Sequence, residues 1–162
     1  MLLSPVDPAD LDPIDTLVRL EFDGSVMDLP AVALTGASAV KATASNVYQK
    51  QTAEYGPQEA WDGDLDTRWA TDSGIRQAWI EADLGKPRTI CGVRINEAFG
   101  ERVQDFEWQF RDGVTWKTVF KGARIGASFE KTFAPVTGQH FRLNILDATD
   151  GPTLTEIELV EK

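Results

Sequence analysis

A chain of 162 residues with 42% hydrophobic side chains carries enough apolar material for one domain with a full core. Its formal net charge of -10 and sequence pI of about 4.5 repel phosphate, which argues against nucleic-acid partners and adhesion to anionic membrane. No apolar run approaches the ~20 residues of a membrane-spanning helix, so no membrane insertion is expected.

The start, Met1-Leu-Leu-Ser-Pro-Val-Asp-Pro8, has neither the basic region nor the apolar core of a signal peptide. Residues 1 to 15 are rich in Asp and Pro and read as a linker. Leu17-Val-Arg-Leu-Glu-Phe22 then alternates as a half-buried strand does, and Asp23-Gly24 closes it. From about residue 35 the composition turns small and polar. We therefore divide the chain into residues 1–34, a linker and terminal strand that end a preceding domain, and residues 35–162, the domain proper.

The run Glu59-Ala-Trp-Asp62-Gly63-Asp64-Leu-Asp66-Thr67-Arg68-Trp69 comes next. It gathers carboxylates, a hydroxyl and a glycine into a few residues between aromatics. Hard cations take such oxygen ligands where a tight turn brings them together, but plain surface turns also favour Asp and Gly. The spacing does not match the EF-hand loop, so both readings stay open on local sequence.

Beyond this run the signals are almost all β. Strands are predicted at Trp79–Leu84, Ile90–Ile95, Phe106–Phe110, Trp116–Phe120, Phe129–Phe133, Phe141–Leu146 and Thr155–Leu159, with Gly, Asp and Pro between them. No helical periodicity lasts beyond about two turns. The fold expected is an all-β antiparallel sandwich. Phe106, Trp108 and Phe110 share one strand face and read as core, as do Trp69, Trp79 and Trp116. Tyr48, Tyr55 and Phe99 fall in loops, where an exposed ring face suits sugar. Cys91 is the lone cysteine, so no intrachain disulfide forms, and its apolar surroundings predict a buried, inert thiol. His140, the single histidine, lies at a strand entry and pairs with no nucleophile in the sequence.

In order and spacing, a set of fragments resembles the discoidin family, also known as the coagulation-factor C-type or galactose-binding-like domain. They are Ala44-Ser-Asn46, Ala60-Trp-Asp-Gly-Asp64 through Thr67-Arg-Trp69, Trp79 through Gly85, and Val93-Arg-Ile95. Asp112-Gly-Val-Thr-Trp116, Phe141-Arg-Leu-Asn144 and Glu156-Ile-Glu-Leu159 complete it. The segments Thr67–Asp72, Arg76–Trp79 and Asn144–Thr153 are similar to the module appended to bacterial α-L-fucosidases of glycoside hydrolase family 29. The leader Asp12–Phe22 looks like the end of the β-domain that follows the fucosidase barrel.

This resemblance implies a jelly-roll β-sandwich and a structural Ca2+ ion. The implied ligands are the Glu59 and Asp64 carbonyls, the Asp62 carboxylate, Thr67, the Thr155 carbonyl and the Glu156 carboxylate. It further implies a monomeric, non-catalytic carbohydrate-binding module beside an adjacent catalytic domain, reaching the periplasm or the extracellular space through its parent protein. Its glycan ligand would be fucosylated or galactose-containing. The family's usual galactose site is not matched: Ala70 stands where a His is expected, Asn96-Glu-Ala98 lacks the Arg, and Pro152-Thr-Leu154 lacks the aromatic. Tyr55, Asp72, Arg76, Glu97, Arg102 and Asp150 remain as polar groups that could form a different carbohydrate site, with contacts to the catalytic domain as the competing role. In that second role the domain packs on the enzyme and stabilises it without binding sugar.

Overall fold

The computed structural model describes residues 40–162; the strand predicted at residues 17–22 and the boundary near residue 35 lie outside the described residues. The strands are β1 (Lys41–Ala44), β2 (Trp69–Ala70), β3 (Ala78–Glu97), β4 (Val103–Asp112), β5 (Thr115–Gly122), β6 (Phe129–Ala148) and β7 (Thr153–Glu161). Between β1 and β2 lie short 3-10 turns at Tyr48–Lys50 and Pro57–Ala60, with the one-turn helix α1 (Thr52–Tyr55) between them.

All pairings are antiparallel, in the order β2-β7-β3-β6-β4-β5 with β1 on the outer side of β3. The two 20-residue strands, β3 and β6, each serve both layers of a β-sandwich. The first half of β3 lies between β1 and the second half of β6, which continues to β4 and β5. The second half of β3 lies between β7 and the first half of β6. The register breaks between Asp83 and Arg88, where both strands turn from one layer into the other. Gly85, at φ 73, supplies the left-handed residue at this corner, and Asp83 Oδ1 accepts its N–H at 2.8 Å.

Alternation places Ile80, Ala82 and Leu84 inward from β3, with Trp79, Glu81 and Asp83 outward. A second register break between Ile90 and Gly92 shifts the phase, so that Ile90 and Val93 both reach the core despite their odd spacing. Phe106 and Trp108 enter from β4 and Phe141, Leu143 and Ile145 from β6; each buried side chain of this size contributes roughly 1.5–3 kcal/mol. Phe106 meets Phe129 edge-on at 5.2 Å, and Trp108 stacks on Phe141 at 6.1 Å. β5 approaches this cluster so closely that a Cβ on Gly122 would lie 2.3 Å from the Phe106 ring.

Three expectations change. Trp69 is fully buried, but Trp79 and Trp116 are half-buried and off the core: Ile80 takes the inward phase beside Trp79, and Trp116 on β5 pairs with the polar Arg111 of β4. Trp116 lies instead under the Arg142 guanidinium, 4.2 Å from its ring centre. Cys91 is half-buried rather than buried, since the adjacent bulge turns it away from the core side of Ile90.

Candidate functional site

Two sets of loop residues hold most of the polar chemistry. The first is the acidic loop before β2. Asp62 Oδ1 accepts the Asp64 N–H and Asp64 Oδ1 accepts the Asp66 N–H, both at 2.9 Å, so each carboxylate folds the backbone two residues on. Gly63, at φ 82, makes the turn. The loop curls around Thr67, whose Oγ1 lies 2.8 Å from Asp62 Oδ2, 2.9 Å from the Asp64 carbonyl and 3.3 Å from the Glu59 carbonyl.

The last strand joins this loop. Glu156 is 6% exposed, and its Oε2 accepts the Gly63 N–H at 2.9 Å across 93 positions of sequence. Burial pushes the Glu156 carboxyl up to about 7, with the nearby Asp62 adding to the shift and the Gly63 N–H opposing it. Glu59 is also raised, first by burial and then by Asp62 and Asp64. Thr155 is the extra residue of a bulge: Leu154 pairs with Glu97 and Glu156 with Asn96, which leaves Thr155 without a ladder partner. Its hydroxyl donates to the Asn96 carbonyl at 3.4 Å. Glu59, Asp62, Asp64, Thr67 and Glu156 are thus brought together, with Thr155 next along the strand. Among the described residues no three Asp, Glu, His or Cys side chains cluster as a metal site. This oxygen set has only two carboxylates, and the rest are carbonyls and a hydroxyl.

The second set crosses neighbouring loops. Tyr48 and Tyr55 meet edge-on at 5.4 Å. The Arg68 guanidinium lies 4.9 Å from the Tyr55 ring centre and 5.5 Å from that of Phe99. Arg102 lies 5.1 Å from the Phe99 ring and donates to the Gly151 carbonyl at 2.8 Å. Phe99 is 52% exposed, a large apolar ring held at the surface by two cations.

The other predicted carbohydrate residues are occupied in holding loops. Asp72 accepts from Gln49 N–H and Asn46 Nδ2, and these bonds hold its carboxyl below the usual range. Asp150 Oδ1 accepts the Gly74 and Gly151 N–H groups at 2.7 Å, with the same effect. Glu97 is 5% exposed; it accepts from Val103 and Gly126 and ties two loops from within, while burial raises its carboxyl. Arg76 pairs with Asp147 on an exposed surface and does not join the aromatic strip. Of the six, Tyr55 and Arg102 belong to the strip and Asp150 borders it at 3.9 Å from Arg102. Arg68 was missed as a site residue. No local signal marks it: Arg68 precedes the two-residue β2, which is too short to show alternation, and lies half-buried beside the fully buried Trp69.

Solved structures with this architecture include chitosan-binding module 1 from a chitosanase/glucanase of Paenibacillus sp. IK-5. It is 26% identical, with a TM-score of 0.68 over 76% of this chain and 97% of that one. Module 2 of the same enzyme, solved with chitotriose, is 26% identical with a TM-score of 0.67 over 75% and 95%. The Ruminococcus gnavus GH29 fucosidase is 27% identical with a TM-score of 0.68 over 78% of this chain, which spans only 26% of the fucosidase. No curated protein sequence matches significantly. The F5/8 type C domain model matches residues 41–159, from β1 into β7. With that match over most of its length and the β-sandwich around it, the chain belongs to the F5/8 type C domain family.

Proposed function

We propose that this domain is a non-catalytic carbohydrate-binding module of a glycosidase resembling α-L-fucosidase, and that it holds the enzyme on fucosylated or galactose-containing glycans. The observation that carries this reading is the strip Tyr55–Arg68–Phe99–Arg102. It pairs exposed aromatic surface with cationic donors, the combination a sugar ring and its hydroxyls require. The similarity to modules that bind chitosan, and to domains attached to fucosidases, supports it. A weak site suffices, because tethering keeps the enzyme at high effective concentration near its substrate.

A structural Ca2+ ion at the acidic loop belongs to the same reading. The donor set fits a hard cation: the carbonyls of Glu59 and Asp64, the carboxylates of Asp62 and Glu156, Thr67, and the carbonyl of the bulged Thr155. The ion would supply positive charge where acceptors crowd together and would join loop to last strand.

Affinity electrophoresis of the chain through gels containing fucosylated and galactosylated glycans tests the reading. Retardation is expected, and Phe99→Ala is expected to remove it without lowering the melting temperature. The loop-holding roles of Asp72, Glu97 and Asp150 favour a second reading, a domain that only packs on and stabilises its enzyme. Silence on every glycan would favour it.

A further inference from the structure

Arg68 differs from every other arginine among the described residues. Each of the others has a carboxylate, amide or carbonyl oxygen as partner. Arg68 is half-buried between Tyr55 and Phe99, yet among the described residues it has neither an acceptor for its donors nor a carboxylate within ion-pair range. A guanidinium stacked on rings is held by its faces, which leaves the N–H edge free in a fixed orientation. The carboxylates that border the strip face its other members: Asp150 lies 3.9 Å from Arg102. Asp150 holds Gly74 and Gly151, and Glu54 interacts with the Tyr55 hydroxyl.

Arg102 reaches the same Phe99 ring from its own loop. Two cations and an exposed ring are thus assembled, with Asp150 beside Arg102 but no carboxylate beside Arg68 among the described residues, on a molecule whose overall charge is -10. Such a concentration is opposite to the general field, and the two rings engage only the face of the Arg68 guanidinium. A planar fork of N–H donors matches the two oxygens of an oxyanion, and the ring beside it offers an apolar face to a pyranose.

Building on the carbohydrate-binding reading, we infer that the Arg68–Phe99–Arg102 strip selects anionic sugars, those carrying a carboxylate or sulfate group. The net negative charge slows the approach of such ligands, but screening over about 8 Å at physiological salt confines that effect, and the short-range hydrogen bonds decide affinity. A cationic sugar would meet two guanidiniums and be rejected.

The test is calorimetric titration of the whole 162-residue chain with four sets of short oligosaccharides: neutral, uronate-bearing, sulfated and glucosamine. At least one anionic set is expected to bind about tenfold or more tightly than its neutral counterpart. The uronate and sulfate arms identify which group is read. Arg68→Ala should erase the preference, and Arg68→Lys should keep part of it by charge without the fork, both at unchanged melting temperature; Arg68→Gln serves if the alanine variant does not fold. Binding of neutral or glucosamine sugars as tightly as anionic ones, sensitive to Phe99→Ala but indifferent to Arg68→Ala, overturns the charge selection and leaves the module reading standing. No binding by any set overturns both.

Discussion

Thr67 Oγ1 carries one proton and has three oxygens within 3.3 Å, so two of those contacts bring acceptor against acceptor. Such crowding is costly without a cation and favourable with one, which supports the proposal of Asp62 as a carboxylate ligand; Glu156 joins the proposed set through the resemblance and its bond to Gly63. On the calcium proposal, Asp62→Ala should abolish the rise in melting temperature expected with calcium, and a variant that still responds fully would remove Asp62 from the ligand set. The pH dependence has two opposite parts. In metal-free protein the Glu156 carboxyl sits at about 7 against an ordinary 4.5, so it binds its proton more tightly folded than unfolded. That contribution is complete below about 4.5 and lost as pH rises through about 7. Calcium needs the carboxylate, so its stabilising effect grows over the same window. Thermal melts at pH 5.5 and pH 8 should show the larger calcium shift at pH 8, and equal shifts would mean that Glu156 does not meet the ion.

At the scale of the element, the packing of β5 on β4 depends on the absence of a side chain. Gly122→Ala would drive a methyl into the Phe106 ring, whose other neighbours Phe120 and Phe129 leave it little room to withdraw. A loss of about 1–3 kcal/mol is expected in denaturant unfolding, and an unchanged midpoint would show that Phe106 can move. β4 was legible because the inward Phe106 and Trp108 alternate with Asp105, Glu107 and Gln109. β1 and β2 were not, since four and two residues give no period to read, and both depend on neighbours for pairing. The joining of two predicted strands into β3, and of two more into β6, was equally hidden. Gly85-Lys86-Pro87 signals a stop, yet here it is a corner through which the strand passes into the other layer. The same limit applies to the site. Acidic residues 59 to 67 announce a loop with ligand chemistry, but only the resemblance brought Glu156 to it. Nothing local to the final strand says where its buried carboxylate points. Arg68 is hidden differently, since the two residues of β2 that follow it give no period to orient its side chain.

At the scale of the molecule, the Asp62 loop and β7 close the sandwich by joining segments distant in sequence. β2 follows the loop and pairs with β7, Glu156 returns from β7 to Gly63, and the same strand borders β3 through Asn96 and Glu97. An ion held by both segments binds the closed sandwich and has no comparable site in the unfolded chain, where these oxygens are far apart. Its effect is then one of mass action: at free calcium a hundred times its dissociation constant, the folded state gains about 2.7 kcal/mol. For a domain of this size that corresponds to a rise in melting temperature on the order of 10 °C. Melting the chain in excess calcium and again in excess chelator measures it directly. Magnesium should substitute poorly, because a flexible set of carbonyls and carboxylates suits the larger ion better than strict octahedral geometry. Equal melting with calcium and with chelator would reduce the acidic loop to a hydrogen-bonded turn, with Glu156 held there by Gly63 alone.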